Sequence, residues 1–290
     1  MKVSGFTIVR NAIKYDYPVV ESISSLLPFC DEVVVAVGDS DDGTRELIAS
    51  IHPGKIRIID THWDESLREG GQVLAEETNK ALDAVSADSD WAFCIQADEV
   101  VHEAYSEQIL AGMERWKDHP EVEGLLFNYL HFWGSYDWTG NSRKWYRREV
   151  RIIRPGIGIR SYKDAQGFRR GEEKIRVKPL DAWIYHYGWV KQPTAQQAKQ
   201  QEFHKFWHDE TWIRENISTE QEFDYTVINA LKRFTGTHPA LLLPRIEKKN
   251  WDFEPQHGVR PLSFRHKMLD RIEALTGWRI GEYRNYRVIE

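Results

Sequence analysis

Four short apolar runs, each stopped by polar or acidic residues, constrain this chain more than any other feature. Val3 to Val9 ends in Arg10-Asn11, and Val33 to Val37 ends in Gly38-Asp39-Ser40-Asp41-Asp42-Gly43-Thr44. Ile56 to Ile59 ends in Asp60-Thr61-His62, and Trp91 to Ile95 ends in Gln96-Ala97-Asp98-Glu99. All four read as strands, and the unbroken Trp91 to Ile95 run as one buried on both faces. Helical patterns separate them. Val19, Val20, Ile23, Leu26 and Leu27 follow Pro18, which suits a first helical turn, and Leu47, Ile48 and Ile51 follow Asp42, a candidate N-cap. Leu74, Ala81, Leu82 and Val85 form one stripe of a longer helix. Strands alternating with helices predict βαβ units: an α/β fold with a mostly parallel, Rossmann-like sheet flanked by helices. The polar strand ends then share one edge, where ligands of open α/β sheets bind. A carboxylate fixed there, such as Asp98, can hold a divalent cation against a phosphate, or can simply form an acidic turn.

A chain of 290 residues with 41% hydrophobic residues can bury one substantial core plus an appendage. No run approaches the roughly 20 apolar residues of a membrane span. The chain enters its first strand without a signal-like segment and has two cysteines, Cys30 and Cys94, so a cytoplasmic protein with reduced thiols is expected. The net charge of −6 conceals an asymmetry, because Leu231 to Glu290 carries 12 Lys and Arg against 7 Asp and Glu. That bias is either a solvated face or a surface for anionic lipid, with the protein then peripheral at the inner face of the membrane. No basic-aromatic motif accompanies it, so a nucleic acid partner is not expected.

Together these segments resemble a family 2 glycosyltransferase with the GT-A fold, of the nucleotide-diphospho-sugar transferase superfamily. Gly5-Phe-Thr-Ile-Val-Arg-Asn11 resembles the family's first strand, and Val37 to Thr44 its acidic loop. Asn79 matches an Asn of the helix before the fourth strand, and Gln96-Ala97-Asp98-Glu99 resembles the family's DXD motif with Gln in place of the first Asp. Arg151-Ile-Ile-Arg154 and His186-Tyr-Gly-Trp189 extend the likeness more weakly, and it fades from about Gln192.

The resemblance implies transfer of a sugar from a UDP- or GDP-linked donor to an acceptor hydroxyl, with inversion and with Mn²⁺ or Mg²⁺. The setting it implies is polysaccharide or glycolipid synthesis, with a glycan or lipid-linked acceptor. Arg10, Asn11, Asp39, Asn79 and Gln96 would bind the nucleotide, Asp39 through the base. Asp98 and His186 would hold the metal; a lone His in an aromatic strand is otherwise a satisfied core residue. Gln96 is a poor metal ligand. Asp164 is the candidate base, with Glu99 and Asp137 as rivals, and Trp138 and Trp189 would stack on acceptor sugar, Trp138 as an exposed platform among turn-like neighbours.

The expected organisation is a catalytic core over residues 1–190, with a nucleotide half to about 100 and an acceptor half beyond. A mostly helical extension, 191–290, would pack on it. Within that extension Met268, Leu269, Ile272 and Leu275/Thr276 share a helical face that Gly277 would end. Two other classes remain open. A nucleotidyltransferase would want a Gly-rich phosphate loop after the first strand, and Val9-Arg10-Asn11-Ala12 has none. A catalytically silent nucleotide-sugar or glycan-binding protein on the same fold is kept open by Gln96.

Overall fold

The structure is a computed structural model describing residues 1–290 apart from 65, 68, 227, 229 and 256–263. The amino-terminal part alternates as read: β1 (Val3–Val9), α1 (Val19–Leu26), β2 (Glu32–Gly38), α2 (Thr44–Ile51), β3 (Ile56–Thr61), α3 (Gln72–Asp83) and β4 (Trp91–Cys94). These four strands lie in the order β3-β2-β1-β4, all parallel. The continuous apolar runs have a direct cause. Val33, Val35 and Val37 of β2 enter one core with α1, while Val34 and Ala36 enter a second core with Ala81 and Leu82 of α3. Both faces of β2 are covered, so neither can be polar. Phe93 of β4 is fully buried, and its truncation to Ala would cost about 3–5 kcal/mol.

Beyond β4 the sheet becomes mixed. The chain continues through β5 (Glu99–Val101), α4 (Ser106–Trp116), β6 (Gly124–Trp133), β7 (Ser135–Gly140), β8 (Arg148–Ile153), β9 (Ile159–Tyr162), β10 (Gly167–Arg170) and β11 (Glu173–Trp189). β8 is antiparallel to both β4 and β6, and the long β11 runs parallel to β6 and antiparallel to β5. In this register His186 of β11 stands beside His131 of β6 on one side and Glu99 of β5 on the other. The expected α/β fold, a helix-flanked sheet with a parallel amino-terminal half, is therefore the fold of the protein.

The last hundred residues contain α5 (Pro193–Phe203), α6 (Glu210–Asn216), β12 (Leu231–Arg233), α7 (Leu243–Glu247), α8 (Phe264–Thr276) and β13 (Tyr286–Val288). Two of these are strands: β12 pairs with β7, and β13 runs parallel to β11 from Ile175 to Val177. α8 stops at Gly277 (φ 68°), whose N–H donates to the Glu273 carbonyl. Of the expected apolar face, Leu269 and Ile272 are half-buried, whereas Met268 is 48% and Leu275 87% exposed. Glu273 adds ion pairs to the rest of the fold, with Arg143 at 2.7 Å and Arg147 at 3.2 Å.

Several local expectations shift. Gly43, not Asp42, occupies the N-cap of α2 with φ 81°; Asp42 still caps by accepting from the Thr44 N–H at 3.0 Å. Val85 falls beyond α3, which ends at Asp83. Cys30 and Cys94 are buried free thiols. Among the described residues no helix is long and apolar enough to cross a membrane.

Candidate active site

The carboxyl ends of β1 and β4 open into a cavity of about 340 Å³, closed on its other sides by the Asp164 turn, the end of β11 and α5. That volume lies within the range of small-molecule sites. Arg10, Asn11, Gln96, Asp98, Asp164, His186 and Trp189, seven of the residues singled out in the sequence, line it.

Asp98 is at the centre of the polar contacts. It lies just past β4, which ends at Cys94, is 9% exposed, and is held by its own carbonyl accepting the Tyr187 N–H at 2.8 Å. Lys199 of α5 donates from Nζ to Asp98 Oδ2 at 3.0 Å and to the Gly188 carbonyl at 3.1 Å. On the other oxygen, Oδ1 lies 3.7 Å from His186 Nε2. Burial alone would raise the Asp98 carboxyl, but its surroundings, the Lys199 ammonium foremost, outweigh it and hold the group well below the usual carboxylate range. Burial would lower the Lys199 amine, and Tyr17 and Asp98 reverse that, so both partners stay ionised. Gly188 is required here. A Cβ at that position would stand 2.7 Å from Asp98 Oδ2 and 2.8 Å from His186 Nε2.

The arrangement fits a divalent cation completed by phosphate oxygens. Asp98 Oδ1 and His186 Nε2 offer two adjacent donors, which is what a cation shared with a diphosphate takes from a protein. No cluster of three His, Cys, Asp or Glu forms a ready cage among the described residues. Gln96 is not part of the donor set: its Nε2 donates to the Ala165 carbonyl at 3.3 Å. A carboxylate could not make that bond, so Gln96 ties the Asp164 turn to the segment after β4. The turn itself is tight, with positive φ at Lys163 (53°) and Ala165 (59°). Burial raises the Asp164 carboxyl above its ordinary value, as suits a proton acceptor.

Arg10 reaches across the end of β2, donating from Nε to the Asp39 carbonyl at 3.2 Å, with its guanidinium 5.8 Å from the Trp63 ring. Asn11 Oδ1 accepts from the Asp41 N–H at 3.0 Å, which couples the two strand ends. Trp189 stacks on Trp133 at 4.8 Å.

Four of the sequence candidates lie outside the cavity wall. Asp39 is exposed on the rim and pairs with His62. Asn79 is buried and bonds both ways to the Ser161 backbone, joining α3 to β9. Trp138 is half-buried on β7 beside Arg233 of β12, not the exposed platform expected. Glu99 is fully buried, held by Arg151 at 2.8 and 2.9 Å, Tyr129 Oη at 2.9 Å and the Gln96 N–H at 3.0 Å. All its acceptor capacity is spent behind the cavity. The rival base Asp137 likewise does not line it.

Sequence reading missed the wall made by α5 and the residue after it: Lys199, Glu202, Phe203 and His204 all line the cavity. The buried side of α5 is Gln196, Gln197 and Lys199, so a search for apolar stripes finds nothing there.

No protein-family model matches the chain, and no curated protein does. Solved structures whose chains follow a similar course include S. aureus TarS in complex with UDP-GlcNAc, at 14% identity over 76% of this chain and 68% of that one, with TM-score 0.42. A second is the mannosyltransferase PcManGT from Pyrobaculum calidifontis in complex with GDP-Man and Mn²⁺, at 22% identity over 43% of this chain and 34% of that one, with TM-score 0.32. A third is 4-diphosphocytidyl-2C-methyl-D-erythritol synthase from Anaerococcus prevotii, at 10% identity over 53% of this chain and 71% of that one, with TM-score 0.31. At these identities the chemistry of the present site has to be argued from its own side chains.

Proposed function

We propose that this chain is a glycosyltransferase of the GT-A type, close to family 2, that moves a sugar from a UDP- or GDP-linked donor to an acceptor hydroxyl with inversion. One observation carries the reading: the Asp98 carboxylate, ionised at the end of β4, shares a cavity with an imidazole, an ammonium and a second carboxyl of raised proton affinity.

Arg10 and Asn11 at the β1 end take the nucleotide side, where a guanidinium suits phosphate oxygens. Asp98 and His186 would hold Mn²⁺ or Mg²⁺, which when bound supplies Lewis-acid neutralisation of the departing diphosphate. Lys199 fixes Asp98 in its ionised form and adds a second positive charge to the wall. Asp164 accepts the proton of the acceptor hydroxyl as that oxygen attacks the anomeric carbon. The Gln96 amide sets where that carboxylate stands. Trp189 provides a face for the acceptor sugar. Asp39, on the rim, would meet the base when the nucleotide extends past β2.

The exposed Phe264, Met268 and Leu275 of α8, with Lys267 and Arg271 beside them, support a resting contact with anionic membrane and hence a lipid-linked acceptor. The test of function is release of UDP or GDP from a panel of nucleotide sugars with and without candidate acceptors. Release from one base class, lost in Asp164→Asn, supports the reading; no release from any donor contradicts it.

A further inference from the structure

The His186 ring has a partner behind it that neither the strand pattern nor the DXD-like motif points to. His131, on β6 at the position level with His186, turns its Nδ1 toward His186 Nδ1 at 3.2 Å. Its other nitrogen, Nε2, lies 2.9 Å from the Tyr146 carbonyl. A carbonyl can only accept, so the proton on His131 must sit on Nε2. His131 is 3% exposed and enclosed by Tyr129, Tyr146 and the stacked ring of Trp145. An imidazolium there would be a charge buried among aromatic rings, so the ring is neutral. Its Nδ1 is then a lone pair, and the bond at 3.2 Å requires His186 to carry its proton on Nδ1.

We infer that His131 is a positioning residue: through a Tyr146 carbonyl–His131–His186 relay it fixes the tautomer that presents the His186 Nε2 lone pair to the cavity beside Asp98. With the proton on Nε2 instead, His186 would donate to Asp98 and be unable to bind a cation. With the relay, Nε2 and Asp98 Oδ1 are two acceptors 3.7 Å apart, and a divalent cation between them satisfies both. Partners behind a ligating histidine commonly govern metal affinity in this way, by about 10–100-fold. The inference rests on the metal role proposed for Asp98 and His186, but the tautomer itself does not.

The test therefore has two readouts on the full chain. The first is the ¹⁵N imidazole spectrum of His186 without metal, compared in wild type, His131→Asn and His131→Phe. Asn places an amide oxygen near the Nδ1 position and keeps an acceptor, whereas Phe keeps the ring shape and removes it. The expected result is the Nδ1–H form in wild type and Asn, and loss of that preference in Phe. The second is Mn²⁺ affinity by electron paramagnetic resonance in the presence of UDP or GDP, expected to fall about 10–100-fold in Phe and to recover in Asn. A wild-type His186 protonated on Nε2 overturns the proposal, as does a folded Phe variant with unchanged tautomer and Mn²⁺ affinity. If the Nδ1–H form is found but no nucleotide binds, the tautomer relay stands and the glycosyltransferase reading fails.

Discussion

Lys199 and Asp98 stand 101 residues apart in the chain and 3.0 Å apart in the fold. The contact joins α5, the first helix after β11, to the segment just past β4. It makes the segment that follows β11 a wall of the cavity rather than an appendage to it.

That pair is buried, and its loss should be costly. Asp98→Asn leaves the Lys199 ammonium beside a neutral amide, and Lys199→Met leaves the Asp98 charge without its ammonium. Each is expected to destabilise by about 3–5 kcal/mol, with the double variant losing less than the sum. Urea unfolding of the three variants measures this. Full additivity would show that the two groups are not coupled.

Glu99 and Arg151 form a second buried pair, behind the cavity. Glu99→Gln is expected to lower stability by about 3–5 kcal/mol, because it strands the Arg151 charge. In material that remains folded, nucleotide affinity should stay within about twofold of wild type. A stable Glu99→Gln protein that has lost turnover would instead restore Glu99 as the base.

Asp164 is predicted to set the acid limb of the pH–rate profile. Burial raises its carboxyl, and the base must be ionised, so kcat/KM should rise with pH through a point above the ordinary carboxylate range. Asp164→Asn should reduce kcat by about 10²–10⁴ and abolish that limb, with nucleotide affinity unchanged. An acid limb persisting in the variant would assign it to another group.

The parallel amino-terminal half of the fold was legible because both faces of β2 and β4 are buried, which writes a continuous apolar run into each. Asp98 and His186 were legible because each follows or interrupts such a run. What stayed hidden depends on contacts distant in the chain. Lys199 lies on a helix whose buried face is polar, and His131 acquires meaning from the register of β6 against β11. Glu99 and Asn79 carry residue types that suit a site, yet each is consumed by a partner 52 to 82 positions away. Trp138 looked exposed from its turn-like neighbours, and β12 covers it from the tail.

Glu149 provides a stability test independent of the site. Burial pushes its carboxyl up to about 8, and although Gln166 donates to one oxygen, the other has no hydrogen-bond partner. A raised carboxyl stabilises the fold in its protonated form. Its contribution is complete below the unfolded value of about 4.3 and is lost as pH rises toward 8. Glu149→Gln should therefore be more stable than wild type at pH 8 by roughly 1–3 kcal/mol, with the advantage shrinking toward pH 5. Melting temperatures across that range check the sign, and a variant less stable than wild type at pH 8 would contradict it.

The edge formed by β1 and β4 is proposed to be a nucleotide-sugar site. Thermal melting with UDP-, GDP- and CMP-linked sugars, with and without Mn²⁺, tests it most directly. At 100 times its dissociation constant a ligand stabilises by about 2.7 kcal/mol, or roughly 5–10 °C for a chain of this size. A rise of that order is expected for sugars on uracil or guanine, dependent on Asp98 and reduced in Arg10→Ala. Melting temperatures unchanged by every nucleotide sugar at millimolar concentration would contradict it.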